Sequence, residues 1–236
     1  MCVNLSRLRR SKLLTFFFIG FMLSSCSEDS EKPTTPCYLT SLTIEGNSIN
    51  PSHTTYFEYD ADNKIILQTD WWDVIGETSI EYTYANENLI LSVDNQYQYQ
   101  SRHTFLYDAN NRLMRVESET ESTSEDLTYN SSGQLIEFDG WTFIYPNTTT
   151  NNFSSKQKDG DKVEYEYDDK PNPYKLWHPG VHLLHFSSIA TDNNPIKTTV
   201  SGTTRPNEYE YNDLGYPVRL VDFYGRRSSM EYSCEQ

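Results

Sequence analysis

The sequence predicts an all-β fold, an antiparallel up-and-down meander of about eight Tyr-rich hairpin repeats that is curled or barrel-like and soluble. Only 36% of the 236 residues are apolar, which is low for a globular protein. The 18 Tyr and 4 Trp compensate for this, because each such side chain buries roughly 150–250 Å². Long apolar runs are scarce, which excludes a helical bundle and a polytopic membrane protein.

The chain begins with the features of a secretory signal peptide, residues 1–25. Its apolar run, residues 13–23, suits the central region of such a peptide and is shorter than the roughly 20 residues that span a bilayer. Four basic residues precede this run: Arg7, Arg9, Arg10 and Lys12. We therefore expect secretion and removal of this leader.

Leu23-Ser24-Ser25-Cys26 ends the leader and resembles the bacterial lipobox. The resemblance implies that Cys26 is acylated and anchors the protein in outer-membrane lipid. Residues 26–36 form an acidic, Pro/Thr-containing tether. Its acidic part is either a solvated linker or, by resemblance, the signal that sends lipoproteins of Bacteroidetes to the cell surface. We expect a lipid-anchored protein exposed on the cell surface, with the periplasmic face of the outer membrane as the alternative.

Charge restricts the partners of the mature chain. Without the four basic residues of the leader, 15 basic residues remain against 34 acidic ones. Nucleic acid is therefore excluded as an expected partner, and anionic lipid heads would repel the domain. Membrane attachment must come from the acyl chains alone.

Residues 37–236 are predicted to be a single β-repeat domain, because a three-residue pattern that ends in Tyr occurs eight times with a period of about 22 residues. The copies end at Tyr59, Tyr84, Tyr107, Tyr129, Tyr145, Tyr167, Tyr211 and Tyr232. Most are followed by a turn rich in Asp, Asn and Gly and then by a short apolar strand, so each unit is a hairpin. Side chains alternate between the two faces of a strand, which puts the aromatic rings inside and the interleaved glutamates in water.

These units resemble the YD (Rhs-type) repeat over roughly residues 55–232. Three blocks in the C-terminal half, residues 167–173, 193–195 and 209–217, are similar to a Bacteroidetes lipoprotein family of unknown function with a porin-like fold. The resemblance implies a β-meander or barrel-like lipoprotein. It brings no catalytic residues and no cofactor.

The sequence has no Gly-x-Ser-x-Gly motif, no phosphate-binding loop and no His-Glu-x-x-His motif, and we predict no catalytic residue, no cofactor and no metal site. His178, His182 and His185 would share one face of a helix and could bind Zn²⁺, but a short helix or loop that covers a sheet edge explains them better. The acid pairs Asp60 with Asp62, and Asp168 with Asp169, fit Ca²⁺ or, preferably, turn formation.

Exposed tryptophans are the candidate ligand-binding residues. Trp71 and Trp72 are adjacent, so on a strand at least one indole should lie off the Tyr-lined face, where it could stack on a sugar or anchor a protein. Burial under the tether or the first strand is the alternative for both. Trp177 is a second, weaker candidate.

Cys37 and Cys234 are the two thiols left after processing, and the compartment is oxidising. They lie just before the first strand and just after the last Tyr copy. If the meander closes on itself they would meet and form a disulfide; otherwise they would stay free at a frayed end.

The expected function is therefore that of an acylated, non-enzymatic surface domain that binds a glycan or a protein, or serves as an accessory subunit of an outer-membrane complex. A hydrolase acting on polysaccharide with two carboxylates is the alternative, and a fragment of an Rhs-type toxin shell is a third possibility.

Overall fold

The computed structural model describes residues 36–46, 51–74, 76–96, 99–186 and 190–234, with the backbone alone at residues 185 and 186. The predicted signal peptide, Cys26 and the tether before residue 36 lie outside the described residues.

The described residues form two antiparallel sheets and one helix. The first eight strands belong to the first sheet: β1 (Cys37–Ile44), β2 (His53–Tyr59), β3 (Ile65–Trp72), β4 (Gly76–Ala85), β5 (Asn88–Asn95), β6 (Gln100–Tyr107), β7 (Leu113–Ser118) and β8 (Thr123–Asp126). The second sheet follows: β9 (Thr128–Tyr129), β10 (Leu135–Phe138), β11 (Trp141–Ile144), β12 (Ser155–Lys158), β13 (Asp161–Pro171), β14 (Asn193–Val200) and β15 (Thr203–Pro206), with α1 (Pro179–Phe186) between β13 and β14. Three strands then return to the first sheet: β16 (Glu208–Tyr211), β17 (Pro217–Val221) and β18 (Arg227–Cys234).

The strand order confirms the predicted all-β antiparallel meander. Neighbours in each sheet are consecutive in sequence, except that β18 pairs with β1. The division into two sheets was not predicted. It occurs where a single residue, Leu127 or Asn207, separates a strand of one sheet from a strand of the other. No helix in the described part of the chain has the length and apolar character needed to cross a membrane.

One turn design closes many of the hairpins. An Asp or Asn side chain accepts the backbone N–H groups two and four residues later, and the residue three positions later has a positive φ, which favours Gly or Asn. In the described residues these turns begin at Asp60, Asp108, Asn130, Asn212 and Asp222. The turn chemistry therefore explains the acid pair at Asp60 without a bound ion.

The repeated Tyr has a specific structural role. In five of the eight copies its hydroxyl donates a hydrogen bond to a backbone carbonyl on a nearby strand or, in one case, just before a strand, at 2.6–2.9 Å. The pairs are Tyr59 with Leu39, Tyr107 with Leu89, Tyr129 with Leu113, Tyr167 with Phe153, and Tyr232 with Pro217. The paired part of β1 and β2 ends at Ser41, and that of β5 and β6 ends at Leu91. The hydroxyls of Tyr59 and Tyr107 therefore add a hydrogen bond between neighbouring strands beyond the end of their ladder.

One core joins the two sheets and the connection before β14. It contains Phe57, Phe105 and Leu113 of the first sheet, Leu135 and Phe143 of the second, and side chains of the helical segment. The interleaved glutamates are exposed, as expected: Glu58, Glu81, Glu164, Glu166, Glu208, Glu210 and Glu231.

The predicted position of the helix is wrong. We expected the segment with the histidines to cover a sheet edge, but Trp177, Val181 and Leu183 are buried in the core. A Cβ on Gly180 would lie 2.9 Å from the ring of Phe105, so the helix contacts the inward face of the sheet directly. The scarcity of aliphatic residues in the strands explains this position, since the segment supplies apolar side chains that the walls lack.

Candidate functional site

The outward face of β2 and β3 carries two exposed aromatic rings. Trp71 and Tyr56 are each 52% exposed. Thr69 pairs with Tyr56 across the two strands, so Trp71, two residues further along β3, is the diagonal neighbour of Tyr56 on the same face. Hydroxyl and carboxylate groups flank the rings at Thr54, Thr69 and Glu77. We call these five residues the Trp71 surface.

The other two tryptophan candidates face inward. Trp72 stacks on His53 with ring centroids 4.1 Å apart, and burial lowers the pKa of His53. Trp177 is 7% exposed and packs against Phe57 and Tyr174, with ring centroids 4.8 Å apart in both pairs. The alternation along β3 therefore separates the two adjacent indoles, whereas Trp177 belongs to the core.

A cavity of about 300 Å³ lies between the two sheets. Its first wall is aliphatic and comes from β1, β17 and β18, with Leu42, Leu220 and Met230. Its second wall comes from the second sheet and contains Phe153, Tyr165 and Tyr167 together with Lys156; Tyr209, on β16 of the first sheet, also lines the cavity. The arrangement combines apolar walls with a few polar groups, as ligand sites do.

The cavity has a buried floor and a more exposed rim. Asn172, His182 and Thr191 form the floor and are buried, whereas Arg226 at the rim is exposed. Arg226 donates from Nε to Asp222 Oδ2 at 2.7 Å, so its charge is paired. The other oxygen of Asp222 accepts the N–H groups of its own turn.

Lys156 is the second cationic side chain of the cavity. On β12 it pairs with Phe143 and Val163, and cross-strand partners share a face, so Lys156 points inward. Its Nζ lies 4.6 Å from the centre of the Trp141 ring. Burial lowers the pKa of Lys156. The ammonium has no hydrogen bond and no salt bridge to any side chain that the structure describes.

The three C-terminal sequence blocks meet at Asp168. One carboxylate oxygen accepts the backbone N–H groups of Lys170 and Asn194, both at 3.0 Å. The other accepts the hydroxyl of Tyr211 and the side-chain amide of Asn194. Donors from the protein therefore surround Asp168, and its role is to join β13, β14 and β16 beside the cavity.

The histidine cluster forms no metal centre among the described side chains. His178 accepts the backbone N–H of Gly180 at Nδ1, at 3.0 Å, and its Nε2 lies 3.2 Å from the Tyr107 hydroxyl. Burial, and to a smaller extent the charge of Lys64, lowers the pKa of His178 to about 4. His182 is buried near Tyr174, and the side chain of His185 lies outside the described set. No group of three potential metal ligands occurs in the part of the chain that is described.

Cys37 and Cys234 are paired in the register between β1 and β18 and form a disulfide. The bond joins the two ends of the domain across 197 residues of sequence. It joins β18 to β1, the neighbouring strands of the described first sheet that are not consecutive in sequence.

Sequence reasoning missed Lys156, the cavity and the turn at Asp222. Ser155-Lys156-Gln157-Lys158 is polar throughout, so no alternation reveals which of its side chains points inward. The Asp222 turn had a usable signal, because Gly225 follows Asp222 at the same spacing as Gly215 follows Asn212.

No protein-family model and no curated protein matches the chain. The solved structures that are similar to it include two porin-like proteins from Bacteroides. The protein from Bacteroides uniformis ATCC 8492 has 10% identity and a TM-score of 0.46, over 86% of this chain and 98% of that chain. The protein from Bacteroides vulgatus ATCC 8482 has 13% identity and a TM-score of 0.30, over 83% and 99%. Because these sequence identities and TM-scores are low, the function has to be argued from the residues themselves.

Proposed function

We propose that this protein is an acylated lipoprotein of the cell surface that binds a glycan without chemical conversion, through the Trp71 surface. The predicted signal peptide and Cys26 support the cell-surface location. The Trp71 surface supports glycan binding.

The observation that carries the proposal is the pair of half-exposed rings on the same face of one sheet. Neither Trp71 nor Tyr56 contacts another aromatic ring of the described residues. A large ring left in water forgoes the burial that would stabilise the fold. Sugar rings present apolar C–H faces that stack on such side chains, and their hydroxyl groups bond to Thr and Glu. The two rings, diagonal neighbours, suit two units of one glycan chain.

The polysaccharide-hydrolase alternative has less support. A glycosidase uses two carboxyl groups that flank one cleft. Asp222 is the only carboxylate among the described residues that line the cavity, and its oxygens are bonded to its own turn and to Arg226. The glutamates interleaved with the Tyr copies are exposed and lie outside this cavity.

Affinity gel electrophoresis against a panel of soluble polysaccharides tests the binding. We expect at least one polysaccharide to retard the wild type, and Trp71→Ala and Tyr56→Ala to remove the retardation with unchanged circular dichroism. Tyr99→Ala is the matched control, because Tyr99 is 60% exposed but lies in the loop before β6. Trp72→Ala, on the inward face, should retain binding if it folds.

Equal migration of the wild type in every gel would refute glycan binding and favour a protein partner for the same rings. Equal loss in Tyr99→Ala would show that the retardation is not specific to the Trp71 surface.

Protease treatment of intact cells tests the cell-surface location. A surface-exposed lipoprotein should be degraded without lysis, and Cys26→Ser should release the protein or arrest the precursor. Protection in intact cells together with degradation after lysis would place the protein on the periplasmic face instead.

A further inference from the structure

Lys156 is an inward-pointing cation in a strongly acidic protein, and it lacks an anionic partner. The chain has 34 acidic residues, and basic side chains elsewhere use them: Lys158 binds Asp139 at 3.1 Å and Lys197 binds Glu166 at 2.7 Å. Lys156 forms no such pair with a described residue, although it is flanked on its own strand by polar neighbours.

The Trp141 ring compensates only part of the burial of this ammonium. A cation–π contact is weaker than the hydration that an ammonium loses when it is removed from water. The lowered pKa of Lys156 has the same cause, because burial disfavours its charged form. An anion beside Nζ would compensate the remaining cost of burying the Lys156 ammonium.

Two phenols of the same cavity are also without partners. The hydroxyls of Tyr165 and Tyr209 form no hydrogen bond with the described residues, whereas the Tyr167 hydroxyl donates to the Phe153 carbonyl at 2.9 Å. Lys156, Tyr165 and Tyr209 line the same cavity, and Leu42 and Leu220 line its apolar side. The cavity thus offers donors together with an apolar wall.

We propose that this cavity binds a small organic anion with an apolar or aromatic body, whose carboxylate pairs with Lys156 while the body lies against the aliphatic wall. The volume, about 300 Å³, is at the lower end of the range for ligand pockets, which limits the body to one or two rings or a short chain. The ligand enters past Arg226, the exposed residue of the rim. This site is separate from the Trp71 surface and does not depend on it.

Isothermal titration with two matched probes tests the proposal. 2-Naphthoate carries the carboxylate, and 2-naphthylmethanol has the same ring system with a neutral alcohol. We expect the wild type to bind 2-naphthoate at least about tenfold more tightly, since bonds to charged groups contribute more than one decade in affinity. Lys156→Met should remove that difference and leave the alcohol unaffected, and Lys156→Arg should restore it.

Two further variants separate the cavity from other causes. Lys158→Met removes a neighbouring charge that pairs with Asp139 and lies outside the cavity lining, so it should bind both probes like the wild type. Leu220→Trp fills the cavity and should weaken both probes while a thermal melt shows a folded protein. Failure of 2-naphthoate to bind the wild type at millimolar concentration, or equal binding by Lys156→Met or by folded Leu220→Trp, would overturn the proposal.

Discussion

The strands are connected in two different ways. Short turns such as Asp108–Arg112 reverse the chain within five residues, and the Asp108 side chain accepts two N–H groups of its own turn. The connection between β13 and β14, residues 172–192, is several times longer and contains α1. The short turn satisfies its own polar groups and places no side chain in the interior. The long connection places Trp177, Val181 and Leu183 in the core.

This difference separates two tasks. The Tyr repeat and its turns build the walls through local hydrogen bonds, so each unit can be altered by itself. The long connection fills the interior and contributes His182 and Asn172 to the cavity floor. Changes in the long connection should therefore affect stability more than changes in a repeat.

Trp177→Ala should have the largest effect. Truncation of a large buried aromatic typically costs about 3–5 kcal/mol of unfolding free energy, and Trp177 contacts both Phe57 and Tyr174. Urea denaturation of this variant and of Leu176→Ala gives the comparison, because Leu176 is adjacent but 46% exposed. Equal losses in the two variants would show that the long connection does not fill the core.

Loss of the disulfide should come next. Cys37→Ser/Cys234→Ser is expected to lose about 2–5 kcal/mol, because the bond restricts a loop of nearly the whole domain in the unfolded chain. The urea midpoint of the oxidised wild type, compared with that of the double variant, measures this loss. Thiol counting on the unfolded, unreduced mature protein, which lacks Cys2 and carries the acyl chain on Cys26, is the control, and two alkylatable thiols would contradict the pairing of the chain ends.

Acid should weaken the long connection through His178. The folded pKa is about 4 and the ordinary value 6.5, so the unfolded chain binds the proton first. The stabilisation is complete above about pH 6.5 and is lost as the pH falls towards 4, with a loss of about 2 kcal/mol by pH 5.

Unfolding free energies of the wild type and His178→Gln at pH 7 and pH 5 check this expectation. Carboxylates titrate in both proteins. The change in unfolding free energy from pH 7 to pH 5 therefore differs between the two proteins only through His178. Identical slopes would show that this imidazole is not held neutral in the folded state.

A single Tyr hydroxyl should have the smallest effect. Tyr129→Phe removes the bond to the Leu113 carbonyl, 2.8 Å long, and should cost about 1 kcal/mol. Tyr84→Phe is the matched control, because its hydroxyl has no hydrogen-bond partner among the described residues and its ring also lies near a cation, Lys64. Thermal melts of both variants should separate them, and a loss as large as that of Trp177→Ala would contradict the independence of the repeats.

The sequence by itself determined the features that depend on neighbouring residues. Side-chain alternation within Phe57-Glu58-Tyr59 and its copies predicts strands with a buried and a solvated face, and Asp or Asn before a positive-φ residue predicts the turns. Adjacent Trp71 and Trp72 had to point to opposite faces for the same reason. These properties follow from bond geometry over two to five residues.

Only the tertiary structure decided what lies inside. Whether α1 covers an edge or fills the core depends on the space between two sheets, as does the inward position of Lys156. The bonds of Asp168 to Asn194 and Tyr211 join residues 26 and 43 positions apart, and no local pattern contains such a distance. The cavity exists because distant strands leave a gap between their side chains, and the packing of the whole chain determines that gap.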